Sequence, residues 1–518
     1  MLNPKSRTVL NQSRSKKGID WLLIVMCLML IGFGIMNVYS VDPEKGIRQL
    51  IYLGVAIVLI LVLISFASGS PNLFELYSPL LYVLSLLLLV GVLFFGKEIN
   101  GAKAWYNLGP VSFQPVEVAK IATGLFLANF ISLPSIEINS RKTVITAFTI
   151  IALPVMLILM QPDLGSVIIF SAFIIALYRE GFSIWFIFIP VLGGALFVFS
   201  ITHPAYYLLT GIGLITVFAA LLVIAFTYKR ELLRTAMGVQ WGMIIYLLLL
   251  IGFMYFFPEW GSVEDKNSKQ FVPQELLSFD VYFYSAAGIL VALISALSVS
   301  YFILKDNNDS PYKIFSPEFG SNRSMETGLL TFVVFVLVSI VSFSSSAIYA
   351  KLPQHQQERI MVLFEGEKKY RDTSGYNLLY SKTAIGSGDL TGKGYLQGTV
   401  KIGKFVPEQS TDYIFCTVGE EWGFLGSSLL VIFYGLFIMR IYYLAELQRE
   451  RFSRFFGYSV ATIFLLHFFI NIAMVMGLFP TVGIPLPFFS YGGSSLLAFI
   501  TLIAVFLILN YQDKQRLI

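Results

Sequence analysis

The chain is 518 residues long, 56% hydrophobic and only 13% charged, with mean hydropathy +0.76. A soluble globular domain carries about 25% charged residues, so a soluble protein built around one large core is excluded. The net charge of +5 does not point to nucleic acid, because the basic residues cluster beside apolar runs.

Apolar runs of about 18 or more residues recur along the chain and predict transmembrane helices. About fourteen are expected by this criterion, near 20–40, 48–66, 77–96, 115–133, 143–161, 164–178, 183–201, 206–227, 238–257, 281–304, 327–349, 422–444, 456–478 and 491–510. Lys and Arg in the short loops set the expected orientation. Lys5, Arg7, Arg14, Lys16 and Lys17 place the N-terminus in the cytoplasm, and the first run lacks a small-residue cleavage site. Counting spans then puts Arg141, Lys142, Arg179, Lys229, Arg230, Arg234, Arg449, Arg451, Arg454, Lys514 and Arg516 inside as well. The acidic loop at 258–280 falls outside. The expected fold is therefore an all-α polytopic membrane protein with both ends cytoplasmic.

Four polar segments share the outer face in this topology. The first, NGAKAWYNLGPVSFQPVEVAK at 100–120, runs into the fourth span. Pro115 suits the first turn of a helix, and Glu117 in that turn is favoured by the helix dipole. Lys120, three residues on, is placed to pair with it. An ionisable residue one turn into a membrane is expensive and often functional, although a structural ion pair at the helix entrance reads equally well. The second segment is QPDLGS at 161–166, where Asp163 either caps the next helix or faces a site. The third is the long stretch 350–421, polar throughout and functional by its length. The fourth is TVGIPLPFFSYGGSS at 481–495, which contains Ser490.

Within the long stretch nine basic residues face nine acidic ones, so it is not a general polyanion binder. Its lysines are still suited to the diphosphate of a lipid head group. The glycine-rich part, 386–403, fails the phosphate-loop pattern, since Gly394 follows Lys393 where Ser or Thr is needed. Cys27 and Cys416 fall near opposite faces, which argues against a disulfide. His203, His355 and His467 are too scattered for a triad or a metal site, and His467 reads as structural. The chemistry available outside is carboxylate and lysine: general-base activation of a hydroxyl beside cationic stabilisation of a departing diphosphate.

These segments, with SGYNLLYSKTAIGSGDLTGKGYLQGT and FVPEQSTDYIFCTVGEEWGFLG between the second and the fourth, resemble the ordered motif set of the SEDS family (RodA, FtsW and the related sporulation protein). GKGYLQGT and PEQSTDYIFCTVGEEWGF are more similar to the RodA branch. The resemblance implies a helical bundle of about ten core spans with a large outer loop. It also implies a peptidoglycan glycosyltransferase that polymerises lipid II and works with a class B penicillin-binding transpeptidase in cell elongation. Acceptor GlcNAc O4 would attack the donor's MurNAc anomeric carbon, with inversion, and undecaprenyl diphosphate would leave.

The family's essential carboxylate lies shortly before a Gly-Tyr pair, here Gly375-Tyr376, which makes Asp372 the expected base. The spacing is about two residues shorter than usual, with Thr373 in place of the usual proline. Glu365 and Glu367 stand as substitutes. Glu117 and Lys120 match the family's paired Glu and Lys, which would hold the loop or bind substrate and complete the expected catalytic set with Asp372, and Asp163 matches its QPDLG aspartate. The expected substrate-binding set is Gln114, Asp163, Lys382, Lys393, Lys404 and Ser490. No cofactor motif is read, and a divalent cation stays open.

About four spans exceed the family core. They lie at 201–326, an expected insertion between an N-terminal half, 1–200, and a C-terminal half, 327–518. A precursor flippase and a non-catalytic scaffold for a transpeptidase are the competing readings. A flippase would carry its charges near the bilayer midplane, whereas these cluster at the outer end.

Overall fold

A computed structural model describes residues 18–70, 72–99, 101–109, 111–138, 140–202, 244–245, 349, 352, 354–399, 406 and 408–515. The chain forms two compact units, Met1–Phe188 with Glu358–Ile518, and Ile189–Gln357. The expected spans at 206–227, 238–257, 281–304 and 327–349 and the insertion at 201–326 lie outside the described residues, apart from residues 201–202, 244–245 and 349. So does Lys404.

The expected spans up to residue 201 correspond to seven helices: α1 (Trp21–Val41), α2 (Pro43–Gly69), α3 (Leu73–Phe95), α4 (Pro115–Ser132), α5 (Arg141–Leu159), α6 (Leu164–Glu180) and α7 (Trp185–Thr202). The last three expected spans correspond to α10 (Ile414–Glu446), α11 (Arg451–Val475) and α12 (Gly493–Gln515). Among the described residues eight helices, α1–α5 and α10–α12, are long and apolar enough to cross a membrane. The chain is a multi-pass membrane protein.

Local chemistry fixes the helix starts. Asp20 accepts from Leu23 N at 2.9 Å. Asp42, the single residue between α1 and α2, accepts from the amides of Glu44 and Lys45 ahead of Pro43 in the first turn. Asp163 caps α6, which ends on left-handed Gly181 (φ 115°). The core runs along α11, where Phe455, Phe456 and Phe464 are fully buried. The Phe464 ring meets Phe437 of α10 edge-to-face, centres 5.4 Å apart, and packs tilted against Phe488 at 5.3 Å.

Two of the polar segments hold secondary structure that the apolar-run criterion does not reveal. Residues 97–113 form a three-stranded antiparallel sheet, β1 (Lys97–Ile99), β2 (Ala102–Leu108) and β3 (Val111–Phe113), in the order β1-β2-β3. Gly101 and Gly109 make its turns with φ of 83° and 76°. The polar stretch 350–421 contains α8 (Gln354–Glu365) and α9 (Tyr376–Ser387). After α9 the chain docks on α10 through main-chain bonds, from Lys393 N and Gly394 N to Glu420 O and Glu421 O (both 3.0 Å), and from Phe424 N to Asp389 O (2.9 Å). Gly423, non-helical at φ 63° and ψ −163°, kinks α10 at that point.

Charge separates the two ends of the bundle. At one end Arg440 pairs with Asp20 at 2.5 Å, Arg179 with Glu446 at 2.6 Å and Arg454 with Glu180 at 2.7 Å. The opposite helix ends carry the motif segments.

Candidate functional site

Four segments meet at that second end. Pro115 opens α4, as its position predicts, and puts Glu117 in the first turn with Lys120 one turn further. Their side chains form an ion pair at 2.9 Å while only 5% and 2% exposed. Lys120 Nζ also lies 3.1 Å from His467 Nε2 and 5.3 Å from the centre of the Phe499 ring. His467 Nδ1 lies 3.1 Å from Pro485 O. An ammonium only donates and a carbonyl only accepts, so this imidazole is neutral with its proton on Nδ1. Glu117 Oε2 is buried without a hydrogen-bond partner among the described residues. His467, read from the sequence as structural, therefore ties Lys120 to the 481–490 turn.

Asp163 accepts from Ser166 N at 3.0 Å and Ser166 Oγ at 2.7 Å, which is the capping role. It also accepts from Gln114 Nε2 at 3.2 Å, so the segments at 114 and 163 do converge. Gln114 N in turn donates to Ser494 Oγ at the start of α12. Asparagine caps helices about as well as aspartate. Asp163→Asn is thus expected to hold stability within about 0.5 kcal/mol in thermal unfolding. A fall in activity for that variant would then report the lost charge and not a lost cap.

The 408–413 turn and the 481–490 turn interlock. Ser490 Oγ donates to Thr411 O at 2.5 Å and accepts from Leu486 N at 2.8 Å, so this buried hydroxyl holds the turns together. Tyr491 N donates to Ser410 O, and Lys45 Nζ of α2 donates to Ser410 Oγ at 2.9 Å. Asn471 of α11 donates to both Asp412 O and Ile484 O at 2.8 Å. Arg359 of α8 donates to Thr481 O at 3.2 Å. Asp412 stands among these groups, partly buried. Burial and then Glu408, with a smaller push from Asp163, raise its carboxyl to about 7, while Arg359 pulls the other way.

The remaining expected residues lie on α8, α9 and the turns after each. Asp372 is 85% exposed beside Arg371, 3.6 Å away. Among the described residues no hydrogen bond or ion pair joins it to Lys120 or Asp163. Glu365 accepts from Lys369 at 2.6 Å and from the Tyr370 hydroxyl. Burial raises the Glu365 carboxyl, but these bonds and the Lys369 charge outweigh it and hold it below the usual range. Glu367 is likewise held low, first by its own backbone amide and also by Lys382, 3.2 Å away. Lys393 reaches Glu420 at 2.7 Å and Thr399 Oγ1 at 2.8 Å.

Sequence reasoning passed over Asp412, Arg359, Asn471 and His467 as site residues. The first two lie in motifs or loops already noted, but only packing brings them together. Among the described residues no group of three or more His, Cys, Asp or Glu is arranged to hold a metal ion.

Comparison with known proteins agrees with this architecture. The family of cell cycle proteins described as FtsW, RodA and SpoVE matches residues 20–219 and 325–515. Peptidoglycan glycosyltransferase RodA of Treponema pallidum (strain Nichols) is 26% identical over 515 residues, spanning 97% of this chain and 99% of that protein. Peptidoglycan glycosyltransferase MrdB of Escherichia coli (strain K12) is 25% identical over 496 residues, spanning 96% and 93%. A solved structure, from work on the structural coordination of polymerization and crosslinking by a peptidoglycan synthase complex, superposes with TM-score 0.54 at 21% identity. It covers 95% of this chain and 98% of its own, and shows the fold.

Proposed function

The chain belongs to the FtsW, RodA and SpoVE family of cell cycle proteins, and from that premise we propose that it is a peptidoglycan glycosyltransferase acting at the outer face of the cytoplasmic membrane. The observation that carries this reading is the meeting of the segments at 114–120, 163–166, 408–413 and 481–494 at one end of the bundle. Relatives named as peptidoglycan glycosyltransferases match over nearly the whole chain. The basic residues paired at the opposite end support cytoplasmic termini.

In this reading the substrates are two copies of lipid II. Acceptor O4 attacks the donor's anomeric carbon with inversion, and undecaprenyl diphosphate leaves. Asp372, exposed on the turn before α9, takes the hydroxyl proton. Glu117 and Lys120 are too deeply buried to meet substrate in this arrangement and position the 481–490 turn through His467. Asp163 with Gln114, Lys382 and Lys393, and the turn held by Ser490 line the substrate. A class B penicillin-binding transpeptidase is the proposed partner, supported by the synthase complex that shares the fold. The unmatched interval between residues 219 and 325 supports reading 201–326 as an insertion.

The test is polymerisation of lipid II by the purified full-length chain with its transpeptidase in lipid vesicles. Wild type is expected to yield glycan strands, and Asp372→Ala to lower the rate about 10²–10⁴-fold. Strands from Asp372→Ala at the wild-type rate would move the base to Glu365, Glu367 or Asp163. Movement of lipid II across vesicles without any polymer would favour a flippase.

A further inference from the structure

Asp412 has a position that a purely structural aspartate does not need. Its link to the fold is main-chain: Asn471 binds its carbonyl oxygen at 2.8 Å. Its carboxyl group accepts no hydrogen bond among the described residues, unlike the capping carboxylates of Asp20, Asp42 and Asp163. The carboxyl abuts the 481–490 turn at Gly483, where an added Cβ would lie 3.5 Å from Asp412 Oδ2. Arg359, fixed to Thr481 O of that turn, stands within its electrostatic reach. A partly buried acid with an uncommitted carboxyl, in the field of a guanidinium held in place, is fitted to meet a ligand that both needs a proton and carries negative charge.

We propose that Asp412 is a further catalytic residue of this site, the general acid that protonates the departing diphosphate, with Arg359 beside it to balance the developing charge. This rests on the glycosyltransferase reading. The bond from the donor's anomeric carbon to the diphosphate oxygen breaks, and its electron pair stays on that oxygen. The oxygen takes the proton of the Asp412 carboxylic acid. The bond from acceptor O4 to the anomeric carbon forms on the opposite face, and the hydroxyl proton passes to Asp372. One proton enters the site and one leaves, and both carboxyls re-equilibrate with solvent. Inverting glycoside chemistry needs such a division between a carboxylic acid and a carboxylate, and contrasting environments are how a protein assigns the two roles. Here burial with Glu408 and Asp163 keeps Asp412 substantially protonated near neutrality, whereas Asp372, the base, is 85% exposed. The charged and titratable groups facing Asp412 are Arg359 from α8, Asp163 from the α5–α6 corner, and Glu408 and Tyr413 from its own turn.

The sign of the pH dependence follows. A general acid works only when protonated, so the wild-type rate is expected to fall about tenfold from pH 6 to pH 8. In full-length protein polymerising lipid II in vesicles, Asp412→Asn is expected to be about a hundredfold slower at pH 6 and to lose this alkaline limb. Glu408→Gln removes a neighbouring negative charge and should move the limb to lower pH. Arg359→Gln should move it to higher pH. These two shifts decide the matter even if Asp412→Asn fails to fold in a thermal unfolding check. Polymer made by Asp412→Asn at the wild-type rate, or a limb that neither neighbour moves, overturns the assignment of Asp412 alone. No polymer from wild type at any pH overturns the glycosyltransferase reading beneath it.

Discussion

Glu117→Ala is expected to destabilise the protein by about 3–5 kcal/mol and to abolish polymerisation. The change leaves the Lys120 ammonium 2% exposed with His467 Nε2 and the Phe499 ring as its remaining described contacts. Removing one partner of a buried pair leaves an uncompensated charge, whereas replacing both with neutral groups of similar volume is often harmless to stability. The informative comparison is therefore the double variant Glu117→Gln/Lys120→Met, by thermal unfolding in detergent and by polymer yield in vesicles. It is expected to recover most of the lost stability. If polymerisation returns with it, the pair is only a pin at the entrance of α4. Polymerisation that stays absent assigns the charges to positioning the 481–490 turn through His467 and Pro485. A double variant as unstable as the single one would sink the uncompensated-charge argument.

Gly423→Ala is the second large effect. At φ 63° and ψ −163° the residue occupies a backbone region open essentially to glycine alone, with a strain of about 1–3 kcal/mol for anything else. Space is closed as well. An added Cβ would overlap Gly392 N and approach Gly388 O to 2.8 Å. The expected outcome is that the 388–394 segment lifts off α10. Hydrogen exchange should then rise selectively at Lys393, Gly394, Phe424 and Leu425, whose amides make the docking bonds. Gly435→Ala is the control, since nothing lies within 4 Å of a Cβ there and Ala gains about 0.5–1 kcal/mol over Gly inside a helix. Equal exchange in the two variants would refute the docking role of the kink.

The glycines in 386–403 show how a motif can be visible while its reason is not. From the sequence they show only a glycine-rich stretch that fails the phosphate-loop pattern. In the fold, Gly388 and Gly392 lie against the main chain of Gly419 and Glu421, closer than any side chain allows. The same holds for 97–113. Its strands are short and glycine-bounded, and a hydropathy scan tuned to membrane spans has no term for them. α8 and α9 were hidden for a related reason, being helices of mixed polarity within a stretch that stands out only as non-membrane.

The sequence by itself determined the membrane class, the expected helix positions in the described parts, the pairing of Glu117 with Lys120 and the family. Each rests on a local pattern: apolar run length, spacing along one helix, or ordered motifs. Tertiary structure alone decided which polar groups are buried and what they meet. Lys120 and His467 are 347 residues apart in sequence and 3.1 Å apart in space. Asp412 looked like one acidic residue among nine in its loop. It differs because burial, Glu408 and Asp163 act on it together. Desolvation and field are sums over neighbours from distant segments, so no window along the chain contains them.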